Sequence, residues 1–385
     1  MISLDKKSDC CGCSACFSIC HHNAITLEKD EEGFCYPQFN KEKCIECGLC
    51  NIVCPIIHYK SEPKTGNPLI YAAININQTQ YLQSSSGGMF ILLCEYIISK
   101  KGIVCGAIYD KNFNVKHAFA KTLEECKAFQ GSKYVQSDIK GIYPQIKSIL
   151  KEGTYVLFSG TPCQVAGLKL YLHKDYENLF TTDLICHGVP SPLIFQKYLD
   201  FIKGNNEITS INMKSKLESK GTAIKIDFSN GKYIRQTLKT DLWNKLYFGH
   251  LIIRPSCYDC QFTHYNRTGD ITIGDYWQAH KYYPDFHQGK MISLMLINSS
   301  KGTTLFNNIK NKLDYIPINK KESQQAQLQH PYAVPPIREQ FWNEYEQYGF
   351  HYIAKKYLKF TTYMRFKSSI HSLLKKINKL YFYFL

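Results

Sequence analysis

Two runs of cysteines near the N-terminus carry the most chemical information in this chain. Each run has the spacing Cys-x2-Cys-x2-Cys-x3-Cys, and the second is followed by Pro55. The cysteines are Cys10, Cys13, Cys16 and Cys20 in the first run and Cys44, Cys47, Cys50 and Cys54 in the second. This spacing is typical of two [4Fe–4S] clusters, in which the fourth cysteine of each run ligates the other cluster. The sequence therefore predicts one cluster on Cys10, Cys13, Cys16 and Cys54, and a second on Cys44, Cys47, Cys50 and Cys20.

A zinc site or a disulfide framework is the alternative for closely spaced cysteines. A zinc site needs only four ligands and would leave two cysteines of each run unused. Disulfides suit exported chains, whereas the first nine residues lack the apolar stretch of a signal peptide. Seventeen cysteines without an export signal indicate a reducing cytoplasm. Cys11 and Cys35 fall outside the register, and we expect them to be packing or incidental thiols.

Four more cysteines stand out in the body of the chain. Cys163 follows a predicted strand in Ser-Gly-Thr-Pro-Cys-Gln, and Cys186 follows another in Cys-His-Gly-Val-Pro. Cys257 and Cys260 form a Cys-x2-Cys pair. Ligands of α/β sheets bind beyond the carboxyl ends of strands, and four thiolates suffice for one more [4Fe–4S] cluster. Spacing alone leaves buried free thiols, a redox-active pair and a zinc site open.

Three glycine-containing segments suit a cofactor that carries phosphate. Residues 84–88 (Ser-Ser-Ser-Gly-Gly) precede a predicted helix, where backbone N–H groups can hold a phosphate. Residues 131–134 (Gly-Ser-Lys-Tyr) add a cation and an aromatic ring, and a predicted strand at 270–274 runs into Gly-Asp and two aromatics. A turn, a helix cap or ordinary packing is the alternative for each segment, because none has a Rossmann or P-loop fingerprint.

The pattern around these residues predicts an α/β or α+β fold with an appended ferredoxin. We expect a ferredoxin module over 1–60, a linker over 61–68, a mixed α/β domain over 69–310 and a helical C-terminal region over 311–385. Strand patterns lie at 69–76, 103–109, 115–120, 154–159, 179–186, 222–228, 232–238, 270–274 and 292–298. Helical patterns lie at 88–100, 140–151 and 162–172, and the chain is mostly helical from about 301 onward. Asn230-Gly231 predicts a hairpin turn.

The basic charge of the chain lies mostly beyond the ferredoxin module. The formal net charge is +15, but we find no nucleic-acid-binding module and no basic stripe interleaved with aromatics. We therefore expect no nucleic-acid partner. No stretch approaches the roughly 20 apolar residues that span a bilayer. Residues 356–385 are basic and aromatic without an acid, so we expect a helix that packs on the body, with an amphipathic helix on an anionic membrane surface as the alternative.

Six segments, in order behind a double-cluster ferredoxin, resemble the beta-subunit family of coenzyme F420-dependent hydrogenases and dehydrogenases. They are SSSGGMF, GSKYVQS, LFSGTPCQVAGL, DLICHGVPSP, RPSCYDC and GDITIGDYW. The resemblance implies an iron–sulfur flavoprotein whose main, flavin-binding domain holds FAD and a third [4Fe–4S] cluster. The cluster ligands that it implies are Cys163, Cys186, Cys257 and Cys260. The FAD contacts that it implies are Ser86, Gly87, Gly88, Gly131, Ser132, Lys133, Tyr134, Ser159, Gly160, Thr161, Gly274 and Asp275.

These features predict a cytoplasmic oxidoreductase that joins a two-electron hydride carrier, coenzyme F420 or another small molecule, to one-electron carriers. The electrons would pass through the clusters to a ferredoxin or a partner redox subunit. Lys133 is the candidate cation beside the reduced flavin or a phosphate, and His187 is the candidate for proton transfer; an ordinary surface or core residue is the alternative for both. The family is broad, so a ferredoxin-dependent reductase of polysaccharide biosynthesis is one prediction. A non-catalytic electron-transfer subunit or scaffold that has lost flavin is the alternative.

Overall fold

The computed structural model describes residues 4–58, 68–216, 222–237 and 239–358 of this 385-residue chain. Residues 61–67 of the predicted linker (61–68) and the tail from 359 onward lie outside the described residues. The described residues form an N-terminal module, a large eight-stranded mixed sheet covered by helices, and a smaller three-stranded sheet. The mixed α/β architecture and the separate N-terminal module agree with the predicted fold class.

The N-terminal module combines a two-stranded antiparallel sheet with short helices. Strand β1 (Ile25–Lys29) pairs with β2 (Cys35–Phe39). Helix α1 (Ala15–Ile19) lies within the first cysteine run, and α2 (Leu49–Ile52) and α3 (Pro55–His58) lie in and after the second. A short 3-10 helix, Lys7–Asp9, precedes the first cysteine.

Both cysteine runs turn in the same way around their second cysteine. Gly12 and Ser14, on either side of Cys13, have φ values of 71° and 62°. Glu46 and Gly48, on either side of Cys47, have φ values of 54° and 71°. Left-handed residues before and after the cysteine reverse the chain locally, which is costly for residues other than glycine. The equal spacing of the two runs therefore corresponds to an equal local conformation.

The remaining strands form two further sheets. They are β3 (Leu69–Asn75), β4 (Ile103–Tyr109), β5 (Val115–Ala120), β6 (Val156–Gly160), β7 (Leu179–Leu184), β8 (Ile208–Lys216), β9 (Thr222–Phe228), β10 (Tyr233–Thr237), β11 (Ile271–Asp275), β12 (Ser293–Ile297) and β13 (Leu313–Pro317). The large sheet has the order β13-β3-β12-β11-β7-β6-β4-β5, and the small one has the order β10-β9-β8. Asn230 and Gly231 form the turn between β9 and β10, as predicted.

Strand direction brings distant segments to one edge of the large sheet. Strands β4, β6, β7 and β11 run parallel, so their carboxyl ends share that edge. The segment with Cys163 follows β6, Cys186 follows β7, and β11 ends at Asp275. Because β12 is antiparallel to both β11 and β3, β3 also ends at this edge and delivers residues 84–88 there. This is the edge at which open α/β sheets bind ligands.

Helices cover both faces of the large sheet and one face of the small one. The remaining helices are α4 (Gln78–Gln83), α5 (Met89–Ser99), α6 (Leu123–Cys126), α7 (Ile142–Lys151), α8 (Pro162–Leu172), α9 (Pro192–Lys203), α10 (Leu242–Phe248), α11 (Ala279–Tyr282), α12 (Pro284–His287), α13 (Ser300–Ile309) and α14 at 338–358. Helices α5 and α13 share one apolar cluster, α7 and α8 share another with the N-terminal module, and α9, α10 and α14 pack with the small sheet. None of the helices in the described ranges is long and apolar enough to cross a bilayer.

Most of the predicted strands and helices are confirmed to within a few residues, but the prediction of a mostly helical region after 301 is wrong in part. Residues Leu313–Pro317 form an edge strand that pairs antiparallel with β3. The edge of β3 offers unpaired backbone groups, which a short extended segment can satisfy. The large sheet therefore extends past the expected domain boundary at 310. The following residues contain a 3-10 turn, Ala326–Leu328, and α14 begins only at 338.

Candidate functional site

A cavity of about 470 Å³ lies at the carboxyl edge of the large sheet. Every FAD contact implied by the sequence, with the exception of Gly87, lines this cavity, as does His187. Lys214 of β8 and Phe248 of α10 complete the wall on the side of the small sheet. Its volume lies within the roughly 300–1,000 Å³ that is usual for cofactor sites.

Gly87 lies behind the cavity wall, against the large sheet. Its N–H donates to Ser293 Oγ at 2.9 Å, and an added Cβ would lie 2.2 Å from the carbonyl oxygen of Ala73. Only glycine permits this close approach. The neighbouring Ser86 hydroxyl donates to the Ile292 carbonyl at 3.0 Å. These contacts hold the 84–88 loop on the sheet and leave Ser86 and Gly88 at the cavity.

The two serine- and glycine-containing loops are joined to each other beside two helix N-termini. The Ser132 N–H donates to Ser85 Oγ at 2.6 Å, and the Gln130 side chain donates to Ser84 Oγ at 3.1 Å. Helices α5 and α8 both begin at the cavity, and each has eleven residues. The positive N-terminal end of each helix dipole favours an anion. This part of the wall fits the phosphates of a dinucleotide.

Lys133 lines the cavity, but its ammonium group is bound within its own loop. The Nζ atom donates to the carbonyl oxygens of Ala128, Gln130 and Gly131, at 2.8, 3.0 and 3.2 Å. Burial lowers the pKa of Lys133 to about 7, whereas three carbonyl acceptors favour the charged form. The contacts indicate that Lys133 shapes the 128–134 loop.

Lys214 is a cation of the cavity that sequence reasoning missed. Its buried ammonium group forms an ion pair with Asp275, at the end of β11. Burial opposes the charge of Lys214, but Tyr134 and Asp275 raise its pKa, so the ammonium form persists. Lys214 lies in an unremarkable strand of the small sheet, and no local motif marks it. Only the packing of that sheet over the cavity brings it to the predicted site residues.

His117 lines the same cavity, and one nitrogen atom of its buried ring lacks a hydrogen-bond partner among the described residues. Its Nε2 lies 2.9 Å from the Ser159 carbonyl, so Nε2 carries the proton and donates it there. Burial lowers the pKa of His117 to about 4 and keeps the ring neutral. The buried Nδ1 atom has no partner among the residues that the structure describes. A buried acceptor without a partner is costly.

The four body cysteines line a second, smaller cavity next to the first. Cys163, Cys186, Cys257 and Cys260 come together there, and Thr161, His187 and Val189 line both cavities. Burial raises the pKa of Cys186 to about 12 and that of Cys260 to about 11. The thiol form is therefore favoured, and binding of iron would release protons. Four cysteines around one cavity fit the ligand set of a [4Fe–4S] cluster.

His187 stands between these two cavities. Its Nδ1 lies 3.1 Å from the Tyr332 hydroxyl, and its ring centre lies 4.9 Å from that of Trp277. Burial lowers the pKa of His187 to about 4. A role of His187 in proton transfer stays a prediction.

A third cavity is lined by the four cysteines predicted to hold one ferredoxin cluster, in the pattern where the fourth cysteine of each run ligates the other cluster. Cys54 lines it together with the first three cysteines of the first run, Cys10, Cys13 and Cys16. Cys20 lies outside this group, and its sulfur accepts the Ala24 N–H at 3.3 Å. Of the other set, Cys44 and Cys50 are half-buried and Cys47 is exposed. The grouping is the one that crossed ligation requires, although iron binding by each named residue stays a prediction.

The two cysteines outside the register also lie at this third cavity. Cys11 is buried and lines both the second and the third cavity, as does Ile56. Cys35 lines the third cavity alone. Cys94, Cys105 and Cys126 are fully buried in the apolar clusters of the large sheet. Among the described residues, no three His, Cys, Asp or Glu side chains form a group that would hold a single metal ion.

Comparison with known protein families finds a match for the N-terminal module and another for the body of the chain. Residues 9–56 match a 4Fe-4S dicluster domain, and residues 153–322 match the C-terminal region of coenzyme F420 hydrogenase/dehydrogenase beta subunits. The chain is related to these beta subunits. The resemblance expected from the six segments is thus confirmed, and the F420 hydrogenase-type domain includes β13. The chain therefore falls among iron–sulfur oxidoreductases that transfer electrons.

Other comparisons add little to this relationship. No curated protein sequence matches the chain. Among solved structures, one chain of the F420-reducing [NiFe] hydrogenase complex of Methanosarcina barkeri, determined as a xenon derivative, is similar at 20% identity. That alignment covers 67% of this chain and 85% of that chain, with a TM-score of 0.46. At these values we base no argument on the likeness.

Proposed function

We propose that this chain is an iron–sulfur flavoprotein oxidoreductase that passes electrons between a hydride carrier and one-electron partners. When bound in the first cavity, FAD would supply the exchange of a hydride for single electrons. The observation that carries the proposal is that the three cavities form a series with shared walls. The order would be flavin, body cluster, inner ferredoxin cluster and outer ferredoxin cluster. The body cluster would be held by Cys163, Cys186, Cys257 and Cys260, the inner cluster by Cys10, Cys13, Cys16 and Cys54, and the outer cluster by Cys20, Cys44, Cys47 and Cys50.

The shared walls are one residue thick. Thr161, His187 and Val189 separate the first cavity from the second, and Cys11 and Ile56 separate the second from the third. Single layers of side chains keep neighbouring redox groups close, which electron transfer requires. At the far end of the series, Cys47 is exposed and Ile45 is 62% exposed. That surface suits docking of a ferredoxin or of a partner redox subunit.

Different residues of the first cavity would bind different parts of FAD. The first turns of α5 and α8, with Ser86 and Thr161, would bind phosphates. The neutral His117 ring would pack against the bound group, and Lys214, in its ion pair with Asp275, would place an ammonium donor beside it. Lys133 would hold the shape of the 128–134 loop, which differs from the direct role that the sequence suggested for it. His187 would pass a proton between the cavity and the Tyr332 hydroxyl.

The mouth of the first cavity suits a planar hydride carrier. Trp277, Phe248 and Leu184 line the cavity and remain 46%, 37% and 38% exposed. Exposed aromatic and apolar side chains at a cavity favour stacking of a ring system. The name of the related family supports a carrier like coenzyme F420. A role in polysaccharide biosynthesis stays a prediction about the pathway.

The test begins with anoxically purified protein. We expect about twelve irons per chain and about one FAD, detected by fluorescence after release by acid. In C186S, about four irons should be lost. A hydride donor should still bleach the flavin of this variant without reducing the ferredoxin clusters. C105A, which changes a buried core cysteine, should keep all cofactors.

Two results would contradict the proposal. A colourless wild-type protein without iron would exclude the electron-transfer series altogether. A full set of irons without released flavin would favour the alternative, an electron-transfer scaffold that has no hydride chemistry of its own.

A further inference from the structure

Arg254 is a fully buried cation at the boundary between the ferredoxin module and the body. It precedes the Cys257–Cys260 pair, yet its guanidinium group reaches the first cysteine run. The Nε atom donates to the Cys10 carbonyl at 2.7 Å, and Nη2 donates to the Cys35 carbonyl at 3.0 Å. Nη2 also lies 3.5 Å from the sulfur of Cys10, within hydrogen-bond distance for sulfur.

The orientation of this guanidinium is fixed from several sides. Nη1 donates to Gln136 Oε1 at 3.1 Å, and the Tyr36 ring lies 4.2 Å from the guanidinium carbon. An added Cβ at Gly12 would lie 2.8 Å from Nη1, so glycine leaves the space that Arg254 occupies. A planar, rigid donor held in this way directs its charge at one sulfur atom.

The charge of Arg254 lacks a carboxylate partner in the described part of the chain. An unpaired buried charge is strongly unfavourable. Carbonyl groups and the Tyr36 ring offset part of that cost. An iron–sulfur cluster held by four thiolates carries net negative charge, and it would supply the missing counter-charge at Cys10.

We infer that Arg254 is a positioning residue that raises the reduction potential of the inner ferredoxin cluster. Reduction adds negative charge to a cluster, so a fixed cation and an N–H···S hydrogen bond stabilise the reduced form. Because Arg254 belongs to the loop that carries Cys257, this effect depends on docking of the module to the body. The inner cluster would thus accept electrons from the body cluster more readily when the module is docked. This inference rests on the proposed function.

Arg338 offers a matched control, since it also joins the module to the body. Its guanidinium forms an ion pair with Glu32 of the module and donates to the Tyr258 hydroxyl at 2.9 Å. None of its hydrogen bonds in the described residues goes to a cysteine. R338Q therefore removes one charge from the boundary between the module and the body but leaves the charge beside Cys10 in place.

The experiment is a redox titration of anoxic wild-type, R254Q, R254K and R338Q proteins, followed by electron paramagnetic resonance. In R254Q we expect the electron-transfer equilibrium of one cluster to move at least tenfold toward the oxidised form. For a one-electron couple this equals a fall in midpoint potential of about 59 mV. R254K keeps the positive charge but loses the planar set of guanidinium N–H donors, so the fall in midpoint potential should be smaller than in R254Q. R338Q should leave all midpoints unchanged.

Iron content and released flavin are measured on the same samples. Unchanged midpoints in R254Q with full iron would overturn the inference and leave the proposed function intact. Loss of the inner cluster from both R254Q and R254K would also overturn it, because Arg254 would then be needed for assembly. A wild-type protein without clusters would defeat the proposed function and the inference together.

Discussion

The inner and outer halves of the ferredoxin module share one cysteine spacing and one local turn, yet their surroundings differ. Cys11 and Cys13 of the inner half are buried, and an ideal Cβ at Gly167 of α8 would lie 3.0 Å from the Cys13 sulfur. In the outer half, Cys47 is exposed, and Ile45 and Ile52 are 62% and 48% exposed. The comparison teaches that ligand spacing defines a cluster site. Packing decides whether the cluster lies next to the body or at the surface, where an external partner can dock.

The largest expected effect is a loss of electron flow after removal of an inner ligand. In C16S, reduction of an external acceptor by the hydride donor should fall by more than the roughly 10–100-fold that is typical of losing a residue around a metal site. In C47S, the body cluster and the inner cluster should still be reduced at the wild-type rate, because the series is interrupted only beyond them. Anoxic stopped-flow absorbance measures both. Rapid reduction of the outer cluster in C16S would show that the inner half is not on the path.

A smaller effect, a loss of folding stability, is expected when either of two glycines with the same backbone conformation is replaced by alanine. Gly12 and Gly48 both have a φ of 71°, so alanine should cost about 1–2 kcal/mol at either position through backbone strain. At Gly12 the new Cβ would also lie 2.5 Å from Gln136 Nε2, whereas nothing lies within 4 Å at Gly48. Overpacking should add about 1–3 kcal/mol in G12A.

Thermal unfolding of anoxic samples compares G12A with G48A. We expect the lower transition temperature in G12A, together with faster proteolysis of the module. Equal losses in the two variants would show that the inner face is not tightly packed against the body.

The smallest effect concerns the exposed outer surface. I45E should change the free energy of unfolding by no more than about 0.5 kcal/mol, because the side chain is exposed. It should slow electron transfer to a protein acceptor and leave transfer to a small viologen dye unchanged, since only the protein needs a docking surface. I337E, at another exposed apolar residue, is the control. Equal rates of electron transfer from I45E and from wild type to the protein acceptor would show that the acceptor docks on a different surface.

Much of the local structure was predictable from the sequence. Helix α8 begins at the predicted Pro162 because its capping residues are adjacent in the chain, and the Asn230-Gly231 turn has its own backbone signal. The edge strand at Leu313–Pro317 was not predictable in this way, because its partner β3 is more than 230 residues earlier. Lys214 and His117 were missed for a similar reason, since no motif surrounds either of them. Arg254 lies in the RPSCYDC segment, but its partner Cys10 is 244 residues earlier in the chain.

The sequence by itself determined which cysteines are spaced to bind clusters and which segments form turns, caps and strands, because these properties depend on neighbours in the chain. Only the tertiary structure decided that cysteines from three separate segments of the chain line one cavity. It also decided that the first cysteine run faces the body, and that Lys214 and Arg254 reach the site. These outcomes depend on strand direction and on packing between distant segments, and no local spacing encodes them.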